Sequence, residues 1–557
     1  MKRKVTVLLV ALIVSVGLGT FSGYRTNARA QETAAQPQVL TDAVADEALE
    51  SDVSPPLGDL PVVLSPKGGV HVVHPHLRPK LKQLEDAARQ GAPTAGGEFA
   101  ISPGPLISAT ISRNFDGVGQ NATNNCPTVS GSTVAPPDTN AAVGDTQVVQ
   151  WVNLCYAVFD KDGNLLAGPL PSSHFWAGFN SRCATNQSDP IIQWDKANHR
   201  WVASQNVFSR PYLTCVAVSK TADASGQYYR YVFSQPGFPD YPKWGLTPNV
   251  YYQTQNDFGR NGFSFVGVNV CAYNGAAMRA GTKAKRVCIL DTHTFDDSML
   301  PADNDYVPSS PTTTTPPEVL LGSIDNFNPG SNVYKYVFTV NLTNGTATLA
   351  GVGGTMPIAV PAYLLACGGI VNCVLQPGVR DPLDALGDRL MYRLALFNDG
   401  TTQHFLVTHS VDNVTATTVR WYEFQAPSGS TALTLHQSGE TPDDGEYRWM
   451  GSVAYDKYGD IALGYSRSSA VSGDYPSLYL SGQTAGESQG TTDTESLIFQ
   501  GSGSQTDTFG RWGDYSSMAL DGTDSCSFWY TTEYYPATAS FAWNTRIAGP
   551  IKFATCP

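Results

Sequence analysis

Asp138-Thr139-Asn140-Ala141-Ala142-Val143, Asp189-Pro190-Ile191-Ile192-Gln193-Trp194 and Asp240-Tyr241-Pro242-Lys243-Trp244-Gly245 each open a similar stretch, and each aspartate follows the last by 51 residues. Behind each opener come short runs rich in Val, Ile, Tyr and Trp, broken about every eight to twelve residues by Gly, Asn, Asp or Pro, the pattern of consecutive antiparallel strands. A strand-rich unit recurring at about 50 residues matches one four-stranded blade of a β-propeller.

Counting outward from these three, blade one begins at Asp138, with Val148 to Phe159 as a strong strand, blade two at Asp189 and blade three at Asp240. The period then slips across 296–318, a Thr- and Pro-rich stretch read as an inserted loop, and blade four takes Val319 to Val340. Blades five, six and seven start at Asp388, near Arg448 and near Trp512. The predicted fold is all-β, a propeller of seven four-stranded blades, with six or eight blades as alternatives. Leu106 to Phe115 and Thr545 to Phe553 are expected to meet in the last blade, which removes free strand edges and closes the ring.

The ends of the chain read differently. Lys2, Arg3 and Lys4, an apolar run from Val5 to Leu18, and Ala28-Arg29-Ala30 predict a signal peptide over residues 1–30. Residues 31–104, rich in Ala, Pro, Asp and Glu, read as a flexible linker or pro-segment, and 105–557 as the propeller domain. Loss of the five basic residues in 1–30 takes the formal net charge from −13 to −18, which disfavours nucleic acid and anionic membranes as partners. No later segment is long and apolar enough to span a bilayer. A secreted or otherwise extracytoplasmic monomer is expected, with an extracellular glycan or polymer, or a surface protein, as its partner.

Ten cysteines agree with an oxidising compartment and fall in close pairs: Cys126 with Cys155, Cys183 with Cys215, Cys271 with Cys288, Cys367 with Cys373, and Cys526 with Cys556. Nearest-neighbour disulfides are expected, although sequence does not fix connectivity. Neither metal nor cofactor is expected. There is no CxxC, and His71, His74 and His76 flank Pro75 in an extended context that reads as a loop of solvated imidazoles. Asp160-Lys161-Asp162-Gly163-Asn164 lacks the distal Glu of a calcium loop and reads as a hairpin turn.

Pro137-Asp138-Thr139-Asn140, Asp189-Pro190-Ile191-Ile192, Leu386-Gly387-Asp388-Arg389-Leu390-Met391-Tyr392-Arg393, Arg448-Trp449-Met450-Gly451-Ser452 and Arg511-Trp512-Gly513-Asp514-Tyr515-Ser516-Ser517 resemble a group of exported bacterial proteins described as sialidase-like or BNR-repeat-like propellers. The resemblance runs from about residue 105 to the end and implies the fold. The Phe-Arg-Ile-Pro segment and the strict Ser-x-Asp-x-Gly-x-Thr-Trp box of true sialidases are absent, so it brings no activity with it.

In a propeller the residues that open the blades converge on the central channel. Asp189, Asp240 and Asp514 are therefore the candidate catalytic acids, Asp189 with Asp240 being the first pair to consider for glycoside cleavage. Arg389, Arg448 and Arg511 are candidate ligand-binding forks for a carboxylated or polar sugar, assisted by Tyr241, Tyr447 and Tyr515. Two readings stand side by side. One is a carbohydrate-binding, and potentially carbohydrate-cleaving, propeller. The other is a non-catalytic scaffold, in which recurrent Asp caps turns and recurrent Arg-Trp cements one blade to the next.

Overall fold

The computed structural model describes residues 36–61, 70–72, 107, 109–120, 124–180, 182–185, 189–262, 264–306, 316–323, 330–369, 372–413 and 415–557. The expected signal peptide, residues 62–69 and 73–104 of the stretch read as linker, and the side chains of the His71, His74 and His76 trio lie outside what is described.

Strands dominate, in sheets that follow the chain. The first sheet holds Asn140–Val143, Gln147–Val152, Cys155–Asp160 and Leu165–Pro171. The single strong strand expected over Val148 to Phe159 is two, because Asn153 and Leu154 make a tight turn with Leu154 left-handed. The second sheet starts at Ile191–Asp195, the third at Pro239–Leu246, the sixth at Tyr447–Tyr455 and the seventh at Ser517–Leu520.

The expected fourth and fifth units share hydrogen bonds in one ten-stranded sheet. Leu300–Tyr306, inside the stretch read as an insertion, is the fourth unit's first strand. Only its Leu300 and Pro301 pair with Glu318–Gly322, and the rest of its edge pairs in parallel with Leu390–Asn398.

Around the molecule each first strand touches the next, and Ser517–Leu520 touches Asn140–Val143. Seven large apolar clusters fill the spaces between successive units, for example Trp151, Trp194 and Trp201 between the first and second, and Trp529 with Val148 between the seventh and first. Side chains of a strand alternate between the clusters on its two sides. Val148 and Val149 divide in this way between two clusters, as do Ile191 and Ile192. Being buried on both faces, such strands read as nearly unbroken Val, Ile, Tyr and Trp runs.

The ends close the structure as expected. Asn544–Phe553 pairs with Phe528–Tyr534 on one side and with Ala109–Ile111 on the other, so a strand from before the first sheet forms the outer edge of the last. All five nearest-neighbour disulfides are present. No helix among the described residues is long and apolar enough to cross a membrane.

The linker reading fails over residues 39–53. Val39–Leu40, Val44–Glu47 and Glu50–Val53 pair with Thr346–Ala350, Lys285–Asp291 and Tyr228–Ser234, the outer strands of the fourth, third and second units. Leu57 and Leu60 then pack into the cluster between second and first. This sash runs backward around the ring and caps exposed sheet edges. Asp52 grips buried Arg230 with bonds of 2.9 and 2.7 Å, and Asp46 grips buried Arg286 with bonds of 2.7 and 2.9 Å.

Asp52→Ala and Asp46→Ala each strip a buried guanidinium of its carboxylate, partly compensated for Arg230 by the carbonyls of Phe175 and Ala177 and for Arg286 by the Ser234 carbonyl and the Tyr273 hydroxyl. Each substitution is expected to cost about 1–3 kcal/mol, read as a lower urea midpoint, with faster proteolysis within 37–61. Unchanged midpoints would mean that the sash does not stabilise the ring.

Candidate functional site

The first strands begin under backbone strain. Asp138, Asp189, Tyr241, Ser298, Leu386, Met450 and Asp514, one just before or within the first residues of each first strand, have φ between 45° and 58°. Non-glycine residues adopt this left-handed conformation rarely, Asp more readily than most. Asp138 and Asp189 therefore answer a backbone requirement, whereas in the third repeat the left-handed residue is Tyr241, next to Asp240.

A belt of hydrogen bonds holds these mouths. Asn153 donates to Asp138 Oδ1 at 2.8 Å and accepts from the Asp189 amide at 3.0 Å, and Asp189 Oδ2 accepts from the Tyr241 amide at 3.0 Å. Asn256 Oδ1 accepts from the Ser298 amide at 2.9 Å, Ser516 Oγ donates to the Met450 carbonyl at 2.7 Å, and Tyr515 Oη donates to Asp138 Oδ2 at 3.4 Å. All but the first of these bonds tie one sheet to a neighbour.

Asp138, Asp189, Asp240 and Asp514 gather here with Arg389, Arg511 and Lys243, each within electrostatic reach of others in the group. Burial pushes the Asp189 carboxyl up to about 6 and the Asp240 carboxyl well above the carboxylate range, the latter with help from Asp189 and Asp514. Burial also pulls the Lys243 ammonium down to about 7, against the pull of Asp138, Asp189 and Asp514. Lys243 Nζ lies 3.5 Å from the ring centroid of Tyr241 and 3.9 Å from that of Tyr515. Arg511 forks onto Asp514, and Arg389 onto Asp388 at 2.9 and 2.7 Å while lying 4.8 Å from the Tyr241 ring.

Of the residues nominated from sequence, Asp189, Asp240, Asp514, Arg389, Arg511, Tyr241 and Tyr515 come together here. Arg448 and Tyr447 do not. Arg448 is fully buried between Glu495, at 2.8 and 2.9 Å, and Asp444, at 2.8 and 2.9 Å, inside the sixth sheet's own loops. Tyr447 packs on the apolar cluster that contains Trp449. Asp160, considered as a calcium ligand, accepts the amides of Asp162 and Asn164 at 2.9 and 2.8 Å, as a turn residue does.

A small pocket among the first strands has a lining that includes Gln193, Lys196, Asp303, Tyr392, Arg393 and Ser517. Arg393 bonds Asp303 at 3.2 Å and also Asp305, and Lys196 bonds Asp305 at 2.7 Å. Gln193 donates to the Trp244 carbonyl at 2.9 Å, and its side-chain amide also meets the Tyr392 hydroxyl.

Sequence reading missed this pocket and Lys243. A signal existed for Lys243, since the matching positions of the first two repeats are apolar, Ala141 and Ile192. For Arg393, Asp303 and Lys196 the signal was weaker, because the shifted period hid which strand carries Asp303.

No protein-family model matches the sequence, and no curated protein matches it. Among solved structures the chain is similar to the Hadza microbial sialidase Hz136, at 9% identity over 72% of this chain and 73% of that one, TM-score 0.33. It is also similar to the α-L-arabinofuranosidase PaAbf62A of Podospora anserina, at 11% identity over 57% and 92%, TM-score 0.25. A third is the subtype N10 neuraminidase-like protein of A/little yellow-shouldered bat/Guatemala/060/2010, at 9% over 79% and 99%, TM-score 0.32. Likenesses this remote transfer no residue correspondence, so the site rests on its own geometry.

Between pH 4 and 6 the folded protein holds a proton on Asp189 that the unfolded chain releases, so this group makes stability fall as pH rises through that window. Lys243 has the opposite sign. Above about 7 the folded protein lacks a proton that the unfolded chain keeps, so stability rises with pH toward the ordinary lysine range. Lys243→Met should abolish that rise and, by removing a cation beside Asp189, extend the acid-side fall beyond pH 6. A melting-temperature profile from pH 4 to 10 checks both, and a variant curve parallel to wild type would refute the coupling.

Proposed function

We propose that the protein is a seven-bladed β-propeller that acts outside the cytoplasm and binds carbohydrate in its central channel without cleaving it. The blade count is supported by the succession of first strands and by the apolar clusters between units. The extracytoplasmic setting is supported by five disulfides.

The observation that carries binding is the polar pocket built around the Gln193 side-chain amide. Around it stand an ammonium, a guanidinium and two hydroxyls, from Lys196, Arg393, Tyr392 and Ser517. A polyhydroxylated ligand, which both donates and accepts at every carbon, suits that mixture.

Cleavage is disfavoured by the acids. Hydrolysis needs two carboxylates flanking the bond. Asp303 is the one acid among the pocket's lining residues, and its oxygens accept from Arg393 and from the Leu246 amide. Asp189 and Asp514, nominated as catalytic, are bonded to the Tyr241 amide and to Arg511. In this reading they hold the strand mouths in place, and Arg389, Arg511, Tyr241 and Tyr515 balance their charge.

The test is a panel of neutral, uronate-containing and sialylated glycans, scored for both retention and reducing-end release. Retention without release is expected, and Gln193→Leu, close in volume but with no acceptor, should weaken it at least about tenfold. Release of reducing ends would overturn the non-hydrolytic reading. Failure to retain any glycan would favour the scaffold with a protein partner.

A further inference from the structure

Between the last strand of the third unit, Lys285–Asp291, and the first strand of the fourth, Leu300–Tyr306, the chain turns through a short loop that gathers three metal-binding side chains. Potential ligand atoms of Asp291, His293 and Asp296 all lie within 4.8 Å of one another. Both aspartates are fully buried, and the imidazole is one-third exposed, which leaves a path from solvent.

Two features set this trio apart from an ordinary acidic turn. First, Asp291 Oδ2 is buried with no donor from outside the cluster and its carboxyl meets that of Asp296, while Oδ1 accepts from the His293 amide at 3.0 Å and lies 2.7 Å from His293 Nδ1. A buried carboxylate oxygen without an outside donor, facing a second buried carboxylate, calls for a positive charge between them. Second, Asp296 is held from outside the cluster, Oδ1 by the Tyr336 hydroxyl at 2.8 Å and Oδ2 by the Gly353 amide at 2.5 Å. Such outer bonds aim a carboxylate at a metal.

The surroundings are shaped to fit closely. Gly351 and Gly353 have φ of 98° and 65°, and a Cβ at Gly353 would come within 3.2 Å of the His293 ring. The Gly351 amide donates to the Gln38 carbonyl at 2.9 Å, so the start of the sash sits on the same turn.

We propose that Asp291, His293 and Asp296 bind a divalent first-row cation, Zn²⁺ foremost, at the junction of the third unit, the fourth unit and the N-terminal sash. One imidazole nitrogen with two carboxylates is a three-ligand set that zinc completes with water. Calcium, which takes about 6–8 oxygens, is poorly served by it. The ion neutralises the facing carboxylates and fixes the loop leading to Ser298, the left-handed residue at the fourth strand mouth.

The test uses the full chain, treated with EDTA and then titrated with ZnCl2 or CaCl2 by calorimetry, with melting temperature followed in parallel. One equivalent of zinc should bind and raise the melting temperature, with calcium at least tenfold weaker. His293→Ala should weaken zinc binding at least tenfold while leaving the zinc-free fold intact by circular dichroism, and Asp291→Asn should do the same. Zinc binding that persists in both variants and is lost on replacing His71, His74 and His76 would overturn the assignment. So would an absence of zinc binding combined with Asp291→Asn stabilising the metal-free protein, which would mean that the carboxylates share a proton instead.

Discussion

The structure depends on the left-handed mouth of each first strand and on the bond that ties it to the next sheet. A sheet with apolar residues on both faces has to be covered on both sides, and a closed ring does this for every sheet. The turn into each first strand must then be sharp and strained, and the Asn153–Asp189–Tyr241 chain shows how one sheet's side chain holds the next one's backbone. Strain of this kind persists only where the surroundings over-determine it. The buried aspartates, arginines and lysine at the channel mouth follow from that need: the acids accept amides and the cations offset their burial.

Much of this was legible because the unit repeats. The 51-residue spacing fixed the first three strand mouths, and the cysteine pairs followed from local packing. The spacing lost its hold at Asp297, one residue before the left-handed Ser298, and the strand after it disappeared into an apparent loop. The sash was hidden for another reason. Its strands bury one edge and expose the other, so charged Asp46, Glu50 and Asp52 alternate with few apolar residues and resemble a linker. Arg448 looked functional because it broke the repeat, but its partner Glu495 lies 47 residues away, a separation that no local pattern announces.

The same physics separates support from recognition. At the mouth, Asp189, Asp514 and Arg389 are bonded to backbone or to an opposite charge. In the pocket, by contrast, the Gln193 amide stands among Lys196, Tyr392, Arg393 and Ser517 around a shared space. Regular features recur because the fold needs them in every unit, whereas the pocket draws Gln193, Asp303, Arg393 and Ser517 from four different units in unlike roles. Unlike residues converging on one space are what a binding site requires and a repeat does not supply.

The most direct measurement is a crystal structure of the protein with a retained saccharide. It should place a sugar in the channel pocket, one hydroxyl donating to Gln193 Oε1, with Asp189 still bonded to the Tyr241 amide and Asp514 to Arg511. A sugar seated between Asp189 and Asp240 with those bonds broken would contradict the account.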